Sequence, residues 1–275
     1  MIDPTVSIVL PTCNRAQMLD RAVKSVLNQS FKDWELIVVD DVSVDSTEEL
    51  MRNYEKMDSR IHYYRIPVDD RPGISKYLNF GINVSKGKYI ARLDDDDYWI
   101  FEDKLKYQVE FLDTKKDYVI CGGGIILVNS KGEAVFKFLR KESDEEIRAN
   151  ILFACPFTHP TVMFRKESAV KIGLYKDCHF AEDWDFFLRI GLIGKLYNFQ
   201  EYFTCYMSAG QNKSFIYQRA QSKAIIKLIR EYKDCYPNYR KARFVNTLQY
   251  IYSFAPFFLR KRLQTFMYFA KRRIF

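Results

Sequence analysis

Tyr89-Ile90-Ala91-Arg92-Leu93-Asp94-Asp95-Asp96-Asp97 runs a short apolar strand straight into four consecutive carboxylates. Two upstream segments have the same form. Val6-Ser7-Ile8-Val9-Leu10 is stopped by Pro11 and followed by Thr12-Cys13-Asn14-Arg15, and Leu36-Ile37-Val38-Val39 ends in Asp40-Asp41. Between them the apolar period lengthens. Leu19, Ala22, Val23, Val26 and Leu27 recur at helical spacing behind Asn14, a candidate cap. Helices are expected over about 46–57 and 74–84, and a strand over 61–66. Near-continuous apolar strands alternating with helices predict an α/β fold with a parallel sheet covered by helices.

Downstream the pattern is more mixed. Strands are expected over 118–128, interrupted by Gly122-Gly123-Gly124, and over 135–139 and 161–164, with a helix over 183–193. No repeat and no Pro/Gly/Ser-rich linker precedes residue 210, and the pattern is wholly helical from Ser214 onward. The expected division is a catalytic domain over 1–212 and a helical, basic and aromatic region over 213–275.

Ligands of open parallel sheets bind in the crevice beyond the carboxyl ends of the strands. Three polar or acidic clusters fall at such ends here. Adjacent carboxylates repel by roughly 1 to 4 kcal/mol per pair, so four of them following a buried strand call for a counter-charge. Mg²⁺ or Mn²⁺ suits carboxylate and phosphate oxygens, typically with one or two protein carboxylates. Strand alternation puts Asp94 and Asp96 on one side. The pattern fits a metal–diphosphate site, with a solvated acidic turn as the plainer alternative.

The same residues carry a resemblance. The opening strand 7–15, Asp40-Asp41-Val42-Ser43-Val44-Asp45-Ser46-Thr47 (D-D-x-S-x-D-x-T), and Gly73 to Asn79 with Gly81 and Gly87-Lys88-Tyr89-Ile90 come first. The aspartate run (D-x-D-D), His159-Pro160-Thr161-Val162-Met163-Phe164-Arg165 and Glu182-Asp183-Trp184-Asp185 follow. In this order, over about 5–207, they resemble the inverting family 2 glycosyltransferases of bacterial surface-polysaccharide assembly. That resemblance implies the GT-A fold, a Rossmann-like, nucleotide-sugar-binding mixed sheet flanked by helices. It implies that Thr12 and Arg15 line the nucleotide cleft and that Asp41 bonds the uracil or ribose, with Asp40 as the alternative. Asp94 would meet the ribose or metal-bound water, Asp96 would be the principal ligand of Mn²⁺ or Mg²⁺, Asp97 would contact the donor sugar or brace the metal, and Asp95 would be among the nucleotide-sugar residues. Asp183 would be the general base, with Glu182 beside it among the nucleotide-sugar residues, and His159 would touch the diphosphate or the acceptor, with a hydrogen-bonded core histidine as the alternative. Val42, where small residues are common, and Lys76 depart from the family pattern.

Composition agrees with a catalytic body and a distinct tail. Of 43 basic residues, nine fall in 235–275, a stretch with no Asp or Glu; the remaining 34 face 35 acidic residues. The whole formal charge of +8 therefore belongs to the tail. Phe244, Leu248, Ile251, Tyr252 and Ala255, then Leu259, Leu263, Phe266, Met267 and Ala270, recur at helical spacing among these cations. A basic aromatic stripe reads as a helical region lying on an anionic membrane surface through 238–275, with a helical subdomain packed on the body behind a solvated basic face as the alternative, and no motif points to nucleic acid. Six scattered cysteines and three histidines lack zinc spacing. With no signal peptide and no span of roughly 20 apolar residues, the expected location is cytoplasmic, peripheral on the inner face of the cell membrane.

The expected reaction is metal-dependent transfer of one hexose, glucose or galactose, from a UDP-sugar to a polyisoprenyl-diphosphate-linked saccharide in O-antigen or capsule assembly. The family's processive Q-x-x-R-W motif is not found. A sugar nucleotidyltransferase would ordinarily bring a Gly-rich phosphate loop, and residues 11–15 contain no Gly. A non-catalytic sugar-nucleotide-binding module would have no need of Asp96 and Asp183 together.

Overall fold

A computed structural model describes residues 3–67, 73–129, 132–177, 180–207 and 217–255. Within them, β1 (Val6–Thr12), β2 (Trp34–Asp40), β3 (Ile61–Arg65) and β4 (Tyr89–Arg92) form a parallel half-sheet in the order β3-β2-β1-β4. Every residue of β1, β2 and β4 is buried, as happens when helices cover both faces. Those helices include α1 (Ala16–Leu27), α2 (Thr47–Met57) and α3 (Ile74–Val84), each within a residue or three of its expected span. Asn14 does not cap α1. Its backbone is left-handed (φ 54°) and its Oδ1 accepts from the amide of Val44, tying the end of β1 to the loop after β2.

The sheet then changes direction, continuing β4-β8-β6-β9-β5. β8 (Met163–Arg165) is antiparallel to β4 and to β6 (Tyr118–Val128), β9 (Lys195–Met207) is parallel to β6, and β5 (Tyr98–Trp99) is antiparallel to β9. β7 (Ala134–Phe138) folds back on β6. The glycine triplet does not break β6. The pairing with β9 slips there, and a side chain on Gly123 would collide with the Phe203 ring. The strand expected over 161–164 starts instead at Met163, where a 3₁₀ turn over His159–Thr161 leads into β8.

Helix α4 (Lys104–Thr114) was hidden by its own chemistry: Lys104 is fully buried, its Nζ 2.8 Å from Gln108 Oε1 and 4.0 Å above the Trp99 ring. Burial pulls its pKa down to about 7. A short α5 (Asp144–Asn150) carries a reciprocal cap between Ser143 and Glu146, and α6 (Lys166–Lys171) follows β8. Helix α7 spans Glu182–Gly191.

Two helices, α8 (Gln218–Glu231) and α9 (Tyr239–Tyr252), close the described chain. Leu228, Ile229, Tyr232, Tyr236 and Ala242 enter the same hydrophobic core as α7 and β6. Tyr232 donates to Asp185 Oδ1 (3.0 Å), Tyr236 to the Leu188 carbonyl (2.7 Å) and Asn246 to the Leu152 carbonyl (3.1 Å). The outer face of α9 leaves Phe244, Leu248 and Ile251 exposed, as is Phe254 just beyond it. The second half of the tail stripe, from Leu259 to Ala270, lies outside the described residues. Among those described, no helix is long and apolar enough to cross a membrane.

Candidate active site

Parallel pairing sets the carboxyl ends of β1, β2 and β4 side by side: Thr12 pairs with Asp40 across β1 and β2, and Val9 with Arg92 across β1 and β4. The acidic run thus begins two residues past β4, beside the loop that leaves β1. Its four members have different fates. Asp95, 7% exposed, accepts from Thr12 Oγ1 at 2.9 Å, from the Cys13 amide at 3.3 Å and from Arg15 at 2.8 Å. Asp97, 1% exposed, accepts from the Met207 amide at 3.0 Å, and its other oxygen is buried without a partner. Asp94 and Asp96 stay accessible. Arg92 grips Asp94 at 2.8 Å, and Arg15 bridges Asp96 and Asp95, each at 2.8 Å.

Their electrostatics follow from this crowding. Burial, then the charges of Asp94 and Asp96, pushes the Asp97 carboxyl well above the ordinary range. Burial raises Asp94 to about 6, with Asp96, Asp95 and Asp183 adding to the rise and Arg92 opposing it. The cleft therefore has more negative charge than Arg15 and Arg92 offset.

At the end of β2, Asp40 is fully buried and accepts from the Ser43 amide at 3.1 Å and from Tyr63 Oη at 2.6 Å. Asp41 is half-buried and takes a hydrogen bond from Tyr77 Oη. Of the two candidates for the nucleoside contact, Asp41 is the one left reachable. Between them and α2, Val42 holds φ 46°, a conformation costly for a β-branched residue.

Across the cleft, Glu182 and Asp183 occupy the first turn of α7. Asp183 accepts from the Trp184 amide at 2.7 Å, and the Cys155 thiol lies 3.8 Å from its Oδ2. Burial raises its carboxyl pKa. Asp185, by contrast, is consumed by Arg189 at 2.7 Å and by Tyr232. His159 stands between the two carboxylate groups, its Nε2 3.3 Å from Arg92 Nε and 2.8 Å from Tyr175 Oη. Burial, then Arg92, lowers its pKa far below the usual histidine value.

The fold therefore gathers Arg15, Asp94, Asp96, His159 and Asp183 around one cleft with Asp41 at its rim, and turns Thr12, Asp95 and Asp97 into its bracing. Arg92, Tyr175 and Cys155 were not among the expected residues. Arg92 alone left a trace in the sequence, as a charge inside an apolar strand. Among the described residues, no three His, Cys, Asp or Glu side chains converge as a metal cage. The chain fits the alternative in which one or two carboxylates hold Mg²⁺ or Mn²⁺ and diphosphate and water complete the shell. Asp96 and Asp94 are the two carboxylates of the run left accessible that could supply such oxygens, and their excess negative charge is what a cation would offset.

Residues 7–173 match the family model described as glycosyl transferase family 2. Among curated proteins, the putative teichuronic acid biosynthesis glycosyltransferase TuaG of Bacillus subtilis is 32% identical over 174 residues, 62% of this chain and 66% of that one. The chain thus spans just under two thirds of that relative. The O-antigen biosynthesis glycosyltransferase WbnJ of Escherichia coli is 29% identical, over 67% of this chain and 71% of its own. Among solved structures, S. aureus TarS 1-349 with UDP-GlcNAc superposes with TM-score 0.63 at 20% identity, covering 82% of this chain and 66% of that one. The mannosyltransferase PcManGT of Pyrobaculum calidifontis, with GDP-Man and Mn2+, gives 0.66 at 15%, covering 98% and 81%. At these identities the likeness establishes the shared GT-A fold.

Proposed function

Because the chain belongs to glycosyl transferase family 2, we propose that it moves one hexose, glucose or galactose, from a UDP-sugar to a polyisoprenyl-diphosphate-linked saccharide with inversion, in surface-polysaccharide assembly. The observation that carries this reading is geometric: Asp94 and Asp96 stay accessible past the end of β4, Arg92 joins Asp94 to His159, and Asp183 sits on the first turn of α7 close enough for its charge to act on Asp94. A base for the acceptor hydroxyl and carboxylates for a diphosphate thus share one space. Asp183 takes the acceptor's proton as the hydroxyl oxygen attacks the anomeric carbon and UDP leaves. Such a base contributes about 10²- to 10⁴-fold. Its raised pKa keeps it a competent base only above the ordinary carboxylate range, so activity falls as the pH drops through that raised value. Asp96, with Asp94, would hold Mn²⁺ or Mg²⁺, which neutralises charge on the departing diphosphate. Asp41 bonds the nucleoside.

The tail supplies the place of reaction. Phe244, Leu248, Ile251 and Phe254 are each between 49% and 65% exposed at helical spacing, with Arg240, Lys241 and Arg243 beside them. An anionic bilayer offers the complementary charge and the apolar cover, at about 1 kcal/mol per cation near the surface. On the inner face of the cell membrane that surface also carries the lipid-linked acceptor. The test is UDP release with Mn²⁺ across a panel of UDP-sugars, with and without lipid-diphosphate-linked GlcNAc or GalNAc in anionic vesicles. Acceptor-dependent release from one donor, lost in Asp183→Asn while UDP still binds, is the expected result. Failure of every UDP-sugar to bind with metal present overturns it. Phe244→Glu with Ile251→Glu should abolish vesicle co-sedimentation and leave donor hydrolysis unchanged.

A further inference from the structure

Arg92, His159 and Tyr175 form a connected group that the transfer just described does not by itself require. Arg92 is fully buried at the end of β4. Its Nη1 is held by the carbonyls of Val9 and Leu93, its Nη2 by Asp94, and its Nε donates to His159 Nε2. A guanidinium offers donors only, so Nε2 is an acceptor and the proton of the imidazole sits on Nδ1. The Tyr175 hydroxyl, sharing Nε2, donates to it as well. The ring has little freedom to turn. Tyr175 stacks on Phe186 at 4.2 Å and meets His159 edge-on at 5.5 Å, Phe187 packs on the imidazole at 6.0 Å, and Asn79 bonds the Tyr175 backbone through both its amide and its carbonyl. No described residue accepts from Nδ1.

We propose that Arg92 and Tyr175 are positioning residues that lock His159 with its proton on Nδ1, so that Nδ1–H donates a hydrogen bond to an oxygen of the bound nucleotide-sugar. The inference rests on the reading of this cleft as a sugar-nucleotide site. It also explains a selection among bases. A histidine whose lone pair is occupied by Arg92 and Tyr175 takes no proton from the acceptor, and an uncharged ring does not pair with the carboxylates. Asp183 is left as the base. The groups facing the ring and its partners are Arg92 and Asp94 from the end of β4, Tyr175 from the loop before α7, and Glu182 and Asp183 from α7 itself, which act on Tyr175.

Long-range ¹H–¹⁵N correlation on the full chain labelled at histidine, with His159 assigned by its loss in His159→Asn, reads the tautomer directly. The Nδ1–H pattern, unchanged between about pH 7.5 and 5.5 where an ordinary histidine titrates, is expected. An Nε2–H pattern or an ordinary titration overturns the proposal. Adding UDP or UDP-glucose with the diamagnetic Mg²⁺ then identifies the oxygen. A shift of Nδ1 with UDP alone assigns a phosphate or ribose oxygen, a shift only with UDP-glucose assigns a sugar oxygen, and binding of both with no shift overturns the donor role. Binding of neither removes the sugar-nucleotide reading and the donor role with it, while the tautomer result stands on its own. In activity, His159→Asn places an amide N–H where Nδ1 was and His159→Gln where Nε2 was. The Asn variant should exceed the Gln variant by about tenfold in kcat/KM, the worth of one hydrogen bond; equal losses, as a merely structural ring would give, overturn the proposal. Tyr175→Phe removes one of the two donors on Nε2 and should let an Nε2–H population appear; an unchanged tautomer pattern overturns the role of Tyr175.

Discussion

At the end of β2, Asp40 is sealed among Ser43 and Tyr63 while Asp41 remains within reach. At the end of β4 the run alternates: Asp95 and Asp97 are drawn inward to Thr12, Arg15 and Met207, while Asp94 and Asp96 face the cleft. The burial alternates although the strand does not continue: past Arg92 the ladder stops and Asp94–Asp97 closes a turn, the Asp97 amide donating to the Asp94 carbonyl at 3.2 Å. After β2 the chain turns abruptly at Val42 and its left-handed backbone. Two acidic strand ends that look alike in sequence therefore split differently into bracing and working carboxylates, according to how the chain leaves the strand.

Substitutions at the two ends should separate bracing from work. The largest effect is expected for Asp96→Asn, which should cut kcat/KM by about 100-fold or more while leaving the thermal midpoint unchanged or raised; an equal loss in Asp97→Asn would erase the distinction. Next, Asp40→Ala orphans the Ser43 and Tyr63 donors and should destabilise the protein by about 2–4 kcal/mol. Asp41→Ala should cost under about 0.5 kcal/mol in the same denaturant titration and weaken UDP binding instead. Third, the folded-state pKa of Asp97 is raised, so its burial penalises stability once pH exceeds the unfolded value near 4. Asp97→Asn should stabilise by about 1 kcal/mol at pH 8, with the gain vanishing toward pH 4; a gain independent of pH would point to packing. Smallest, Val42→Gly should relieve left-handed strain and stabilise by about 0.5–1 kcal/mol.

The parallel half was readable because its strands are buried on both faces and so are continuously apolar, and because α1, α2 and α3 keep a helical period between them. The second half conceals its elements. β5 has two residues; β9 carries Lys195, Asn198, Gln200 and Glu201, of which Asn198 is fully buried on the carbonyls of Lys141 and Pro156; and α4 begins with a buried lysine. At the site, carboxylates at strand and helix ends announce themselves as Asp41, Asp94, Asp96 and Asp183 do. Which aspartates turn inward was hidden, since it depends on Thr12 and Met207, 83 and 110 residues distant in sequence. Arg92 and Tyr175 acquire their roles only when the fold brings His159 between them.

The clasp of Tyr232 and Tyr236 on α7 has a mechanical meaning. Asp183 rides on the first turn of that helix and the hairpin grips Asp185 and Leu188 further along it. Ten residues of α-helix measure about 15 Å. A bilayer holding the outer face of α9 would thus be coupled to the base through one stiff rod and its cross-ties, and α7 would act as a ruler. It would set how far above the surface a sugar must stand on its lipid stalk before its hydroxyl meets Asp183, so acceptors would be sorted by height as well as by shape.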